Sequence, residues 1–247
     1  MKKEYGYILI TYIVMQLSGM IGVPLVLMIG IKAFHIPYNK MKMLASPYWI
    51  VISFIVALII VLLILKKAEY NRRDERTTPL PLGKSLGWAL GGIFLAFFAQ
   101  YIAAIIEQMI GVKVESENTQ RIIQLIETFP LVVFVSSIIG PILEEIVFRK
   151  IIFGTLNRRF SFFFSAVISS IIFGLAHLEP VHLLLYTAMG FTFAFLYYKT
   201  KRIIVSIIAH IMMNTIVVIV QIVNREHIQK IMENYDKVQS FIGGFFG

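Results

Sequence analysis

Glu144 and Glu145 stand side by side in the stretch Gly140–Arg149, GPILEEIVFR, which Arg149 closes. From Phe129 to Leu143 no residue is charged. Ionisable groups that deep in an apolar run cost about 2.5–3.5 kcal/mol each on insertion scales, so a use or a partner is expected for each. Successive helical residues are turned by about 100°, so the two carboxylates face different points. Glu145 and Arg149 are four apart, the spacing of an ion pair on one helix face. That pairing leaves Glu144 free to face a bundle interior. Pro141, three residues earlier, removes a backbone hydrogen bond and favours a kink that opens room for water or a substrate backbone.

Further polar residues interrupt later apolar runs. One run ends Phe173-Gly-Leu-Ala-His177, and another holds His210 and Asn214, four apart and so on one helical face. A carboxylate, two imidazoles and an amide converging in a dry cavity suit hydrolysis of an acyl bond. Glu144 takes a proton from water, His177 holds that water, and His210 with Asn214 donates to the developing oxyanion. The same residues admit other readings. Glu144, His177 and His210 also form a zinc set with an open position. A Glu/His chain across a membrane fits a proton relay in a transporter, although no inverted repeat supports one. Buried polar groups that only lock helices together, as in a non-enzymatic scaffold that binds a peptide, are a further reading. Gln16, Gln100 and Gln221 read as hydrogen-bonding links between helices, His182 as structural, and His35 and His227 as solvated.

The elements that position these groups follow from composition. The chain of 247 residues is 58% hydrophobic and 15% charged, with a net charge of +9. Soluble domains average roughly 45–50% apolar and about 25% charged, so a multi-pass membrane protein is expected. Its basic residues flank apolar runs, which argues against a nucleic-acid partner. The absence of cysteine excludes disulfides, thiolate metal sites and a cysteine nucleophile. The apolar run Tyr5–Ile31 is too long for a signal peptide and reads as a retained helix.

A span needs about 20 apolar residues. Seven stretches qualify or nearly do: Tyr5–Ile31, Tyr48–Leu65, Leu86–Ile106, Phe129–Phe153, Phe160–Leu178, Val181–Tyr198 and Ile203–Val223. The fold class is therefore all-α, a transmembrane bundle of about seven spans, or eight if one escapes notice. Residues 1–128 supply N-terminal helices and an interfacial link, 129–223 the polar-containing helices, and 224–247 an amphipathic tail, all within one membrane domain. Ile122, Leu125, Ile126 and Phe129 share a face in the link, and Ile228, Ile231, Met232, Tyr235 and Val238 do so in the tail, as for helices lying at the membrane surface. Lysine and arginine cluster in Lys66–Lys84, Asn157–Arg159 and Lys199–Arg202, which places the N-terminus inside and the C-terminus outside. Lys32, Lys40 and Lys42 run against that assignment.

The set Glu144-Glu145-x-x-x-Arg149, Phe173-x-x-x-His177 and His210-x-x-x-Asn214, with Pro141, Phe148 and Gly174 in place, resembles the CPBP family of intramembrane endopeptidases. These are the CAAX proteases and bacteriocin-processing enzymes, also called Abi proteins. The similarity covers roughly Phe129 to Val220. It implies a helical bundle with a site inside the membrane, open toward the cytoplasm. It also implies Glu144 as base, His177 as water-orienting partner, His210 with Asn214 as oxyanion site, and Glu145 with Arg149 as support. The family has been described both as metalloproteases and as metal-independent glutamate proteases. The motif residues favour the second slightly, so no cofactor is expected, with zinc or another divalent metal on Glu144, His177 and His210 as the alternative. The expected partners are membrane lipid and a peptide or membrane-protein substrate. The high isoleucine and lysine content points to a bacterial cell membrane, where peptide-pheromone or bacteriocin-related processing or immunity is the implied setting.

Overall fold

Long runs of Ile, Leu, Val and Phe offer their backbone no hydrogen-bonding partner but itself in lipid, and the chain responds with helices. The computed structural model describes residues 3–70, 78–113 and 115–224, and among these there is no strand. The N-terminal part comprises α1 (Lys3–Leu17), α2 (Gly19–Lys32), α3 (Tyr38–Tyr70), α4 (Leu82–Met109) and α5 (Glu117–Thr128). Residues 132–156 form one helical run that alternates between two windings. In order these are α6 (Val132–Phe134), a π-helical segment Val135–Ile139, α7 (Gly140–Glu144), a second π-helical segment Glu145–Phe153, and α8 (Gly154–Leu156). Then come α9 (Phe162–Ala176), a 3₁₀ turn Pro180–His182, α10 (Leu183–Thr200) and α11 (Ile203–Val223).

By length and composition, four helices can cross a membrane: α3, α4, α10 with its preceding turn, and α11. The pair α1 and α2 counts as a fifth if taken as one span, bent by 52°. The expected number of seven is thus not reproduced on this criterion. At 15 residues α9 is short, and π-helical segments interrupt the run 132–156. The bend divides the single helix expected over Tyr5–Ile31 into two. Ser18 causes it locally: its hydroxyl donates to the Met15 carbonyl at 2.7 Å and accepts from Trp49 Nε1 at 2.9 Å. A side chain bonded back to the preceding turn is a recognised source of helix bending.

Helices in lipid gain little from apolar burial against one another, so close approach through small residues decides their packing. Ala89, Ala96 and Ala209 are buried where α4, α10 and α11 meet. At the crossing of α9 and α10, a Cβ on Gly174 would lie 2.8 Å from Leu183 Cδ1 and 3.3 Å from the Leu183 carbonyl oxygen. Any larger residue there would push apart the two helices that carry the site. Large apolar side chains such as Ile13, Leu17, Phe94, Phe98 and Phe163 point outward, as a lipid-facing surface requires. The amphipathic helix expected before the fourth span is α5. Ile123 and Ile126 are its buried residues, Ile122 and Leu125 pack partly beside them, and Phe129 follows the helix. It packs on Val132 and Val218, so it caps one end of the bundle. The expected amphipathic tail lies, beyond Asn224, outside the described residues, as does His227.

Candidate active site

The motif run owes its geometry to its change of winding. The Gly140 N–H bonds the Val135 carbonyl, five residues back. In that register the next donor would be residue 141, bonding the Ser136 carbonyl, but Pro141 has no N–H. The orphaned Ser136 oxygen accepts instead from Asn214 Nδ2 at 3.2 Å. This bond ties the motif run to α11 and orients the Asn214 amide. Gly140 suits this register, because a Cβ there would lie 3.1 Å from the Val135 carbonyl oxygen.

The two carboxylates diverge as helical geometry requires. Glu145 is fully buried, with Oε2 3.4 Å from Arg149 Nε and Oε1 2.9 Å from His210 Nδ1. The first contact is the ion pair expected from the spacing; the second joins α11 to the motif run. No aligned hydrogen bond reaches the Arg149 guanidinium nitrogens or Glu145 Oε2. Arg149 instead lies over the Phe173 ring at 4.1 Å, with Phe193 at 5.4 Å, where the ring faces attract the cation. Phe193 also stacks on His210, with centroids 4.5 Å apart. Glu144 turns the other way, is 19% exposed, and sets Oε2 3.7 Å from His210 Nε2.

His177 ends α9, and its Nδ1 lies 2.8 Å from the Phe173 carbonyl oxygen. A carbonyl only accepts, so Nδ1 carries the proton, and when the ring is neutral Nε2 presents its lone pair. Tyr186 of α10 stacks on the imidazole, with centroids 4.0 Å apart and planes 22° apart. The Tyr186 hydroxyl donates to Glu179 Oε2 at 2.7 Å, and the Ser116 hydroxyl donates to the same oxygen at 2.8 Å. Ser116 is also the N-cap of α5, accepting from Thr119 N–H. Glu179 thus fastens α5 to the stack behind His177. Burial pushes the Glu179 carboxyl up, but bonds from Tyr186, Ser116 and the Asn118 backbone outweigh it and hold the group below the usual carboxylate range. His182 is buried between Glu107 Oε2, at 2.8 Å from Nδ1, and the Glu115 carbonyl oxygen, at 3.2 Å from Nε2. With both nitrogens engaged, it fits the structural role read from its sequence position.

These side chains surround one cavity of about 500 Å³. Glu144, His177, His210 and Asn214 all line it, while Glu145 and Arg149 lie buried behind. Tyr12 and Gln16 of α1 line it too, and Gln16 Nε2 donates to the Tyr12 hydroxyl at 3.1 Å within its own helix, not across helices as expected. Reasoning from sequence missed Tyr186, Glu179 and Tyr12; only Glu179, a lone acid at a tight turn, carried a signal. Among the described residues no three His, Asp or Glu side chains stand close enough to share a metal ion. The alternative set Glu144, His177 and His210 does not fit one in this geometry.

Comparison with known proteins bears directly on this site. The chain matches the Rce1-like family of type II CAAX prenyl endopeptidases over residues 126–216, a region that contains every motif residue. It is 49% identical over its full length to the full length of YdiL from Bacillus subtilis (strain 168), named as a membrane peptidase. It is 34% identical, over 84% of its length and 87% of the relative's, to the membrane-embedded CAAX protease MroQ of Staphylococcus aureus (strain USA300). The chain belongs to the Rce1-like CAAX protease family. That family is the one the motif set resembled, and it makes the chain a multi-pass membrane protease. A UPF0177 protein, YxdF of Lactococcus lactis, is 26% identical over 64% of the chain. No solved structure matches. For this CAAX-protease relative, the motif helices fall within the matched region, whereas α1 to α4 precede it.

Proposed function

We propose that this protease is an intramembrane endopeptidase that cleaves a peptide bond in a membrane-associated peptide or protein with water activated by Glu144. The observation that carries the reading is the pairing of Glu144 Oε2 with His210 Nε2 at 3.7 Å inside the cavity, with Glu145 behind the same imidazole. A water beside the pair reaches both atoms. Glu144 takes its proton as the water oxygen attacks the scissile carbonyl carbon. The Nε2 lone pair of His177 accepts the water's other hydrogen and aims it. The tetrahedral oxyanion is met by His210 Nε2–H and Asn214 Nδ2–H. Glu144 then passes its proton to the leaving nitrogen as the C–N bond breaks.

His210 can donate from Nε2 only as an imidazolium, because Nδ1–H already points at Glu145. The Glu145 carboxylate balances that charge. Two carboxylates then face one guanidinium and one imidazolium, a neutral set suited to a low-dielectric interior. Seven crossings, with α9 and the run 132–156 as the two that fall short on length or regularity, and a cytoplasmic N-terminus complete the proposed arrangement. Bacterial peptide maturation is the setting it fits best, since MroQ and YdiL come from bacteria. Comparative peptidomics of cells carrying wild-type protein or Glu144→Gln tests the reading: Glu144-dependent fragments are expected, and identical fragment sets sink it.

A further inference from the structure

The position of the cavity along the bundle gives it a side. The α4 C-terminus, the start of α5 and the turn before α10 share one face, tied by Glu107 to His182 and by Ser116 to Glu179. The opposite face is fixed as firmly: Leu80 N–H bonds the Thr200 carbonyl at 3.1 Å, and Arg202 Nε bonds the Leu80 carbonyl at 2.8 Å. The cavity belongs to the first face. Glu117 and Arg121 of α5, both exposed, line it at that end with the buried Glu179, His177 lies at the adjacent end of α9, and Asn214 lies in the later half of α11.

Lysine and arginine divide unevenly between these faces. Away from the cavity, α3 runs out at Lys66 and Lys67, and Lys84 stands in the first turn of α4. Arg158 and Arg159 follow α8, and Lys199, Lys201 and Arg202 surround the α10–α11 turn. On the cavity face the link Glu107–Thr128 offers only Lys113 and Arg121, and the α9–α10 turn offers no lysine or arginine. Among the described residues, the α2–α3 turn, with Lys32, Lys40 and Lys42, is the basic exception there. Basic residues in short loops are retained on the cytoplasmic side.

We infer that the cavity opens at the outer face of the membrane and that its substrate is a peptide segment presented there after export. The reaction that supplies this substrate is therefore membrane translocation. A mouth open to the cytoplasm, as the motif resemblance implied, is incompatible with a cytoplasmic N-terminus once the mouth is placed beside α5. The sidedness stands on charge and topology alone; the exported peptide also rests on the endopeptidase reading above.

The absence of cysteine makes the test direct. Gln124→Cys on the exposed side of α5 and Lys67→Cys at the end of α3 each introduce a single thiol. In intact cells a membrane-impermeant maleimide is expected to label Gln124→Cys, and to label Lys67→Cys only after permeabilisation. The reverse pattern, or equal labelling of both in intact cells, overturns the orientation whatever the enzyme does. In cells that pass, fragments dependent on Glu144 are expected in the medium or on the outer surface, and fragments confined to the cytosol overturn the exported substrate. Fragment sets unchanged by Glu144→Gln would instead sink the peptidase reading and leave the sidedness standing.

Discussion

Glu145→Gln separates what holds the motif run together from what the site does. Glu145 is fully buried and is the counter-charge within ion-pair distance of both Arg149 and His210. Substitution leaves a buried guanidinium facing the Phe148, Phe173 and Phe193 rings without the carboxylate that paired with it. Removing one partner of a buried ion pair typically costs about 3–5 kcal/mol, because the other charge is left uncompensated. For a chain of this size that corresponds to a fall in Tm on the order of 10 °C. The double variant Glu145→Leu/Arg149→Met removes both charges and keeps the apolar stem against Phe173. Replacing a buried pair with apolar groups of similar volume is often neutral, so most of the lost stability is expected to return. Activity is not, because His210 would still lack the carboxylate that balances its imidazolium. Thermal unfolding in one detergent, alongside cleavage of a common substrate, reads both quantities. Wild-type Tm and activity in Glu145→Gln, or recovered activity in the double variant, would refute the charge arrangement.

Three further outcomes follow from the same geometry. Tyr186→Leu removes the stack on His177 and should lower kcat by about two- to tenfold, the 0.5–1.5 kcal/mol of an aromatic pair, while Tyr186→Phe keeps the stack and most of the rate; equal loss in both variants would assign the effect to the hydroxyl. Because hydrogen bonds hold the Glu179 carboxyl below its ordinary range, its contribution to anchoring α5 is complete above that range and disappears as pH falls through the lowered value. Hydrogen exchange in α5 should therefore accelerate on strong acidification, and flat protection would show that Glu179 does not anchor the helix. Gly174→Leu should destabilise the fold, since even a Cβ meets Leu183 at 2.8 Å; unchanged Tm would mean that the crossing of α9 and α10 yields freely.

What the sequence disclosed was whatever lies within one helix. The divergence of Glu144 from Glu145, the Glu145–Arg149 pair and the shared face of His210 and Asn214 all follow from residues up to four apart. Contacts between helices were hidden: His210 meets Glu145 across 65 positions, and Tyr186 meets His177 because Gly174 lets two helices cross closely. Pro141 was read as a source of space, but its missing N–H also frees the Ser136 carbonyl for Asn214, which depends on a π-helical register that composition does not announce. Likewise α5 was legible as amphipathic, yet its packing on Val132 and Val218 and its N-cap contact with Glu179, all between elements, are what place it at the cavity end of the bundle. The bend at Ser18 depends on Trp49, 31 residues away, and was equally out of reach.

The central claim is that Glu144 is the base. The direct measurement is single-turnover cleavage of one defined substrate by purified wild-type protein and by Glu144→Gln, with folding matched by Tm. Loss of a positioned general base predicts a rate lower by about 10²–10⁴-fold with substrate binding nearly unchanged. A Glu144→Gln variant that binds and cleaves at the wild-type rate would contradict the account.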